Sequence, residues 1–155
     1  SNSSFSGYSV VSIGDNKFRK MMVSRIFKAR WYTLIHPTAI ISKDVVIGEG
    51  TVIMAGAIIQ AGTRILKHCI INTNASIDHD CFISDFVHIS PSATLCGNVK
   101  VGEGTHIGAG ATIIPNINIG KWCVIGAGAV ITNDVPDDSL VVGVPGKIIK
   151  KLKND

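Results

Sequence analysis

The sequence predicts a mainly β protein that folds as a three-sided parallel β-helix. From Leu34 to Val135 the chain divides, without an insertion, into six-residue units whose second position is always Ile, Leu or Val. A period of six does not match the 3.6-residue period of an amphipathic α-helix. The composition agrees, since 46% of residues are hydrophobic but only 6% are aromatic, and 16 are glycine. Such a chain builds a thin, repetitive core from small aliphatic side chains.

Within each six-residue unit, the spacing predicts which positions face the interior and which form a corner. The second-position aliphatic residue and the small sixth-position residue face the interior, and the third to fifth positions form a corner. Three units make one coil, so residues 18 apart in the sequence stack on one another. Cys69, Cys81 and Cys123 fall at the sixth position and are predicted to be small core residues. No CxxC pair exists, which argues against structural zinc and against a disulfide framework.

The residues before the repeat predict a strand, a turn, a helix and a second strand. Ser9–Ile13 is a short apolar run, and Gly14, Asp15 and Asn16 form a turn with a plausible helix N-cap. Apolar residues then follow at helical spacing. So short a fragment cannot bury a core of its own, so either more chain belongs upstream or the fragment packs on the β-helix.

The residues after the repeat, 136–155, predict a closing loop followed by a short C-terminal helix over Lys147–Lys153. No apolar run reaches the length of a membrane span, and no signal peptide is visible. The net charge of +4 comes without a basic stripe or stacking aromatic residues, so nucleic-acid binding is not expected. We expect a soluble, cytoplasmic protein.

The segment Asn74–Ser90 concentrates ionisable side chains in this apolar chain, and His79 is its central candidate. His79 lies at a corner and stacks with Ala61, Gly97 and Pro115, whose small size leaves a hollow beside the imidazole. A histidine can act as a general base near pH 7, and a free backbone N–H can stabilise a developing oxyanion. Asp78 and Asp80 are both candidates to orient the imidazole. The alternative is a solvated corner histidine without catalytic function.

The repeat and several short motifs resemble the hexapeptide-repeat acyltransferases, in the branch that acetylates nucleotide-activated amino sugars and sialic acids. The motifs that carry the resemblance are IGDN at 13–16, INT at 71–73, DHDC at 78–81, FVHIS at 86–90, GNV at 97–99 and VGVPGK at 142–147. The resemblance implies a left-handed β-helix, a homotrimer with active sites between subunits, and acetyl-CoA as cosubstrate. It also implies that residues 1–33 are the C-terminal remnant of an α/β nucleotide-sugar-binding domain, ahead of a β-helix over residues 34–135.

The same resemblance implies roles for individual residues. It makes His79 the general base, Asp80 its orienting partner and Gly97 the oxyanion donor. Contacts with coenzyme A are expected from Gly97, His88, Ala109, Ala127 and Lys147. Contacts with the acceptor sugar are expected from His79, Asn72 and Asn16.

The 18-residue coil stacks His88 directly on His106, an arrangement that could suggest a metal site. The β-helical carbonic anhydrases bind zinc through histidines of which two are five residues apart, and no pair among the five histidines here has that spacing. We therefore expect no metal.

These observations predict an acetyltransferase that acts on the amino group of a nucleotide-linked sugar, of the UDP-4-amino-4,6-dideoxy type. Two alternatives remain. The same site could O-acetylate sialic acid, or the chain could be a non-catalytic β-helical scaffold.

Overall fold

The structure, a computed structural model that describes residues 7–26 and 28–152, is a left-handed parallel β-helix with a small βαβ unit packed on one side. The only helix in the described ranges is α1, Asn16–Arg25. The strands are β1 Tyr8–Ser9, β2 Arg30–Trp31, β3 Leu34–Ile35, β4 Ile40–Ile41, β5 Val46–Ile47, β6 Val52–Ile53, β7 Ile58–Ile59, β8 Arg64–Ile65, β9 Ile70–Ile71, β10 Ser76–Ile77, β11 Phe82–Ile83, β12 His88–Ile89, β13 Thr94–Leu95, β14 Lys100–Val101, β15 His106–Ile107, β16 Thr112–Ile113, β17 Asn118–Ile119, β18 Val124–Ile125, β19 Val130–Ile131, β20 Ser139–Val142 and β21 Lys147–Lys151.

The three faces of the β-helix are three parallel sheets. The first face contains β3, β6, β9, β12, β15 and β18, the second contains β4, β7, β10, β13, β16 and β19, and the third contains β5, β8, β11, β14 and β17. Each strand pairs with the strand one coil away, so that residue i lies beside residue i+18, as in the pairing of His88 with His106. We call the turns that follow the three faces the first, second and third corners.

The interior is filled as the repeat predicts. The second-position residues are almost completely buried from Ile53 to Ile131, whereas Ile35 in the first coil is 50% exposed because it lies at the open end of the β-helix. From Thr51 onward the sixth-position residues are also buried, including Cys69, Cys81 and Cys123. The predicted inward positions of the three cysteines are therefore confirmed.

Buried threonine hydroxyls close several corners from the inside. Thr63 Oγ1 donates to the carbonyl of Asp78 at 2.9 Å and accepts from the N–H of Cys81 at 3.2 Å. The hydroxyl thus joins the two ends of the second corner that carries His79. Thr51 and Thr105 make the same pair of bonds at the third corner. Because a buried N–H without a partner is costly, these threonines are part of the fold.

The N-terminal residues form the expected strand–helix–strand unit, with a shorter first strand. Only Tyr8–Ser9 is a strand, pairing in parallel with Arg30–Trp31, so the prediction of a strand over Ser9–Ile13 was too long. Asp15 caps α1 by accepting from the N–H of Phe18 at 2.7 Å. Helix α1 has only 10 residues, and no helix in the described part of the chain is both long and apolar enough to cross a membrane.

The predicted C-terminal helix over Lys147–Lys153 is wrong. Lys147–Lys151 is instead the strand β21, antiparallel to β20, and Lys153 lies outside the described residues. The segment predicted as a closing loop contains β20, which pairs with β18 and continues the first face. The physical reason is that β20 offers a free sheet edge, and β-branched Ile148 and Ile149 favour an extended strand over a helix.

Adjacent residues on one strand provide a test of the inward and outward positions. Ile65 is 0% exposed whereas the preceding Arg64 points into solvent. We expect Ile65→Ala to lower the free energy of unfolding by about 2–5 kcal/mol, because the methyl groups removed leave a cavity. Arg64→Ala should change it by less than about 0.5 kcal/mol. Chemical denaturation of both variants measures this, and equal effects would contradict the assignment of the two faces.

Candidate active site

His79 lies on the second corner, between β10 and β11, with its side chain 60% exposed. The corner turns through Asp80, which has a φ of 58°. Aspartate and asparagine tolerate this left-handed conformation better than most residues. The sequence DHDC therefore places the imidazole on the outer edge of the β-helix, with one carboxylate on each side of it along the chain.

The structure separates the roles of the two aspartates. Asp80 Oδ2 lies 2.9 Å from His79 Nδ1, whereas Asp78 Oδ1 accepts from the backbone N–H of His79 at 2.8 Å. Asp80 is therefore the residue that orients the imidazole, and Asp78 caps the corner. Because a carboxylate accepts the hydrogen bond, Nδ1 carries the proton in the neutral ring. The lone pair is then on Nε2, which is the arrangement that a general base needs.

The two carboxylates also favour the protonated form of His79. The hydrogen bond to Asp80, followed by the negative charge of Asp78, raises the pKa of His79 above its usual value. Because its pKa is raised, His79 takes up a proton near neutral pH more readily than an unperturbed histidine does.

Gly97 forms the floor of the hollow beside the imidazole. A Cβ atom added to Gly97 would lie 2.6 Å from both Cε1 and Nε2 of His79, so a side chain here would displace the ring. Among the described residues, the Gly97 N–H has no acceptor. The corner thus brings a basic nitrogen and an unpaired backbone donor together, as the sequence predicts.

Side chains cap some of the comparable fourth-position N–H groups elsewhere in the β-helix. Asn72 Oδ1 accepts from Thr73 N–H at 2.8 Å, and carboxylates of Asp78, Asp85 and Asp137 cap the fourth positions of three further units. In the part of the chain that the structure describes, the N–H groups of Gly97, Ala109 and Ala127 are among those that lack such a cap. These three positions are therefore available to hydrogen-bond a ligand through the main chain.

Ala109 and Ala127 stack on the first corner, where both are exposed. The carbonyl of Ala109 accepts from the N–H of Gly128 at 2.9 Å, which fixes the stack. A Cβ added to Gly110 or Gly128 would meet nothing within 4 Å. The corner thus presents a strip without large side chains, against which an extended chain with amide groups could lie.

A second group of polar residues surrounds His88 on the first face. Its Nδ1 lies 3.2 Å from the carbonyl of Gly14, and its Nε2 lies 3.2 Å from Asn72 Nδ2. Since a carbonyl only accepts, Nδ1 carries the proton and Nε2 accepts from the Asn72 amide. Burial, followed by the neighbouring His106, lowers the pKa of His88 to about 4. His88 is therefore neutral at physiological pH.

His106 stacks on His88 with ring centroids 4.8 Å apart, as the 18-residue spacing predicts. Its Nε2 lies 2.9 Å from Ser90 Oγ, and burial lowers the pKa of His106. Ser90 and the Gly14 carbonyl are partners of these rings that the sequence did not predict. The 18-residue coil could have indicated Ser90, because Ser90 lies 16 residues before His106 and only two residues after His88, which stacks on His106.

Asn16 lies at the start of α1 and is 7% exposed. Its amide donates to the carbonyls of Gly104 and Thr105 at 3.0 and 3.2 Å, and its oxygen accepts from Arg19 at 2.7 Å. It also lines a pocket of about 270 Å³ between α1 and the first face, whose wall includes His106 and Trp122. A substrate contact from Asn16 stays a prediction.

The remaining predicted residue, Lys147, begins β21 and is exposed. The predicted residues thus form two groups in one chain. The second corner carries His79, Asp80 and Gly97, whereas the first face and first corner carry all the others except Asn16, which lies on α1. Within the described ranges, no cluster of three or more potential metal ligands is present.

The pKa of His79 provides a test of its partners that does not depend on activity. We expect Asp80→Asn to lower the pKa of His79 more than Asp78→Asn, because the hydrogen bond to Asp80 is the larger cause of the shift. Asp85→Asn removes a capping carboxylate from another corner and should leave His79 unchanged. NMR titration of the His79 ring signals measures all three. A larger effect of Asp78→Asn would contradict the assignment.

Comparison with known proteins identifies the family of this chain. The family described as "Bacterial transferase hexapeptide (six repeats)" matches residues 80–115 and 98–133. The UDP-N-acetylbacillosamine N-acetyltransferase of Bacillus subtilis is 52% identical over 45 residues, and the match covers 28% of this chain and 21% of that protein. The chain thus spans only about a fifth of the curated relative that it matches.

Two solved structures match over most of the chain. The acetyltransferase domain of PglB from Neisseria gonorrhoeae is 41% identical, with a TM-score of 0.89, and the match covers 90% of this chain and 69% of that one. PerB from Caulobacter crescentus, solved with CoA and GDP-perosamine, is 40% identical, with a TM-score of 0.91 and coverages of 93% and 70%. The chain therefore belongs to the hexapeptide-repeat acetyltransferases, in the branch of the amino-sugar N-acetyltransferases.

Proposed function

We propose that this protein transfers an acetyl group from acetyl-CoA to the amino group of a nucleotide-linked sugar, with His79 as general base. The observation that carries the proposal is the second corner itself. It joins an exposed histidine with an orienting carboxylate, a hollow at Nε2 and the uncapped N–H of Gly97. The relative PerB has been solved with CoA and an amino-sugar nucleotide, which supports both substrates.

His79 performs the proton transfer. As the sugar amine adds to the thioester carbonyl, Nε2 of His79 accepts the proton that the amine loses, and Asp80 stabilises the resulting imidazolium through Nδ1–H. The C–N bond forms, the C–S bond then breaks, and coenzyme A leaves as a thiol or thiolate. A covalent acyl-enzyme is not needed. The raised pKa of His79 predicts that activity falls as the pH drops through that pKa, because the protonated ring cannot act as a base.

Gly97 supplies the oxyanion donor. When the amine adds, the thioester oxygen becomes negatively charged, and a fixed backbone N–H stabilises that charge more than it stabilises the ground state. The absence of a Cβ at Gly97 allows the reacting carbonyl to approach both this donor and Nε2 of His79.

Coenzyme A is proposed to lie along the first corner. The strip at Ala109 and Ala127 offers two uncapped N–H groups and open space at the adjacent glycines, which suits the amide groups of a pantetheine arm. His88 is proposed to lie near the thioester, and the exposed Lys147 offers positive charge for the phosphates.

The acceptor is proposed to be a UDP-4-amino-4,6-dideoxy sugar that contacts Asn72 and Asn16. The unit formed by β1, α1 and β2 adjoins the pocket next to Asn16, and we take residues 1–33 to be the C-terminal remnant of a nucleotide-sugar-binding domain. A sialic acid hydroxyl is the alternative acceptor for the same base.

The assembly is proposed to be a homotrimer with sites between subunits. Within one chain, His79 lies on the second corner, whereas His88 lies on the first face under the βαβ unit. A neighbouring copy that packs its first face near this corner would unite the two groups. Cyclic symmetry then repeats the same site three times.

Activity assays test the role of His79. We expect His79→Ala to lower kcat/KM by about 10²–10⁴-fold, the usual contribution of a positioned general base. The matched control is His36→Ala, which removes an exposed histidine outside the site. Thiol release from acetyl-CoA is measured with UDP- and GDP-linked amino sugars and with sialic acid. Undiminished turnover in His79→Ala would refute the mechanism, and turnover with sialic acid alone would favour O-acetylation.

A mixing experiment tests the intersubunit site. His79→Ala and His88→Ala chains are each expected to be inactive, but random mixing of equal amounts should restore about a quarter of wild-type activity. That figure follows because three-quarters of the trimers are mixed, and each mixed trimer contains one site with both native histidines. The control is the same mixture in which the two kinds of homotrimer are not dissociated and reassociated, so that no mixed trimers form. If both histidines of a site came from one chain, no activity would return.

A further inference from the structure

Arg19 is an arginine with a fully buried side chain, and within the described residues its hydrogen-bond partners include no carboxylate. Its Nε donates to the carbonyl of His68 at 2.9 Å, and Nη2 donates to that of Phe86 at 2.7 Å. His68 and Phe86 stack on the third corner, one coil apart. Arg19 therefore binds α1 to two successive coils. Because a buried charge is costly unless its donors are satisfied, such a residue usually has a specific purpose.

The same guanidinium also holds the segment that precedes the helix. Nη1 donates to the carbonyl of Ile13 at 2.6 Å, and Nη2 donates to Asn16 Oδ1 at 2.7 Å. Asn16 in turn donates to the carbonyls of Gly104 and Thr105. Residues 13–16 are thereby held at both ends. Arg19 connects their first residue to the coils that precede His88, and Asn16 connects their last residue to the coil that follows it. We call Arg19 and Asn16 the clamp.

Gly14 lies in the middle of the clamped segment, and its carbonyl contacts His88 Nδ1 at 3.2 Å. The backbone of His88 is tied to the same framework, because its N–H donates to the Thr105 carbonyl at 3.0 Å, and the same oxygen also accepts from Asn16. The position of the Gly14 carbonyl decides which ring nitrogen of His88 carries the proton. That tautomer leaves Nε2 as the acceptor for Asn72.

We propose that Arg19 is a positioning residue of the acetyl-transfer site. It holds residues 13–16 on the β-helix so that the Gly14 carbonyl selects the Nδ1–H tautomer of His88 and directs Nε2 to the Asn72 amide. The proposal rests on the proposed function for its effect on catalysis. Its structural part, the tautomer of His88, can be tested without any substrate.

Lys20, the next residue in α1, provides a matched control. Its Nζ pairs with Glu103 and lies 5.9 and 5.3 Å from the ring centroids of Phe86 and Trp122. Lys20 thus attaches the same helix to the same corner, but it does not contact residues 13–16. Arg19→Met and Lys20→Met therefore separate general attachment of α1 from positioning of His88.

The experiment records ring nitrogen NMR spectra of the full chain with ¹⁵N-labelled histidine, with His88→Gln to assign the signals. We expect wild type and Lys20→Met to show His88 as the Nδ1–H tautomer, and Arg19→Met to show a mixture with the Nε2–H tautomer. In acetyl-transfer assays, kcat/KM should fall about 10- to 100-fold in Arg19→Met, as expected for a misplaced catalytic group, and less than about twofold in Lys20→Met.

Asn16→Ala serves as a second variant in case Arg19→Met does not fold. It keeps the charge of Arg19 but removes the bonds to the carbonyls of Gly104 and Thr105, so it should shift the tautomer in the same direction. An unchanged His88 tautomer in the folded clamp variants, or the same change in Lys20→Met, would overturn the proposal. If wild type showed the expected tautomer but no acetyl transfer, the proposed function would fail while the structural role of the clamp stood.

Discussion

The structure depends on one constraint, the parallel register that places residue i beside residue i+18. Inward aliphatic side chains set this register, because a slip by one residue would turn the whole core outward. Once the register is fixed, residues 18 apart form a column at each corner, and the size of each side chain limits the space available to the residue stacked next to it. Gly97 beside His79 shows the effect, since the missing side chain of one coil creates the hollow used by the histidine of the coil before it.

Because of this register, much of the site could be predicted from the sequence. The stacking of His88 on His106 and the position of Gly97 beside His79 are consequences of the 18-residue coil, and both predictions are confirmed. The choice between Asp78 and Asp80 could not be made this way. It depends on the left-handed backbone at Asp80, which turns that carboxylate toward Nδ1 and leaves Asp78 to cap the main chain.

Outside the repeat, no period relates one residue to another, and the predictions were weaker. The burial of Arg19 has no signal in the sequence, because an arginine at a helical spacing is usually solvent-exposed. Its partners are main-chain carbonyls of distant coils, which any sequence would present. The C-terminal lysines favoured a helix, but the free edge of β20 was a stronger determinant of the conformation of Lys147–Lys151. In both segments tertiary contacts decided the structure.

The two site histidines illustrate how one fold can give the same side chain opposite properties. His79 is exposed between two carboxylates, which raise its pKa, whereas His88 is buried beside another imidazole, and its pKa is lowered to about 4. Pairs of groups whose environments shift their pKa values apart commonly have different roles in a reaction. In the proposed reaction, His79 exchanges the proton. His88 cannot serve as a second base near neutral pH, because it does not take up a proton there, so its contribution must come from fixed hydrogen bonds. A neutral ring is useful in that role only if its tautomer is constant, which is why the attachment of residues 13–16 to the β-helix matters for the chemistry.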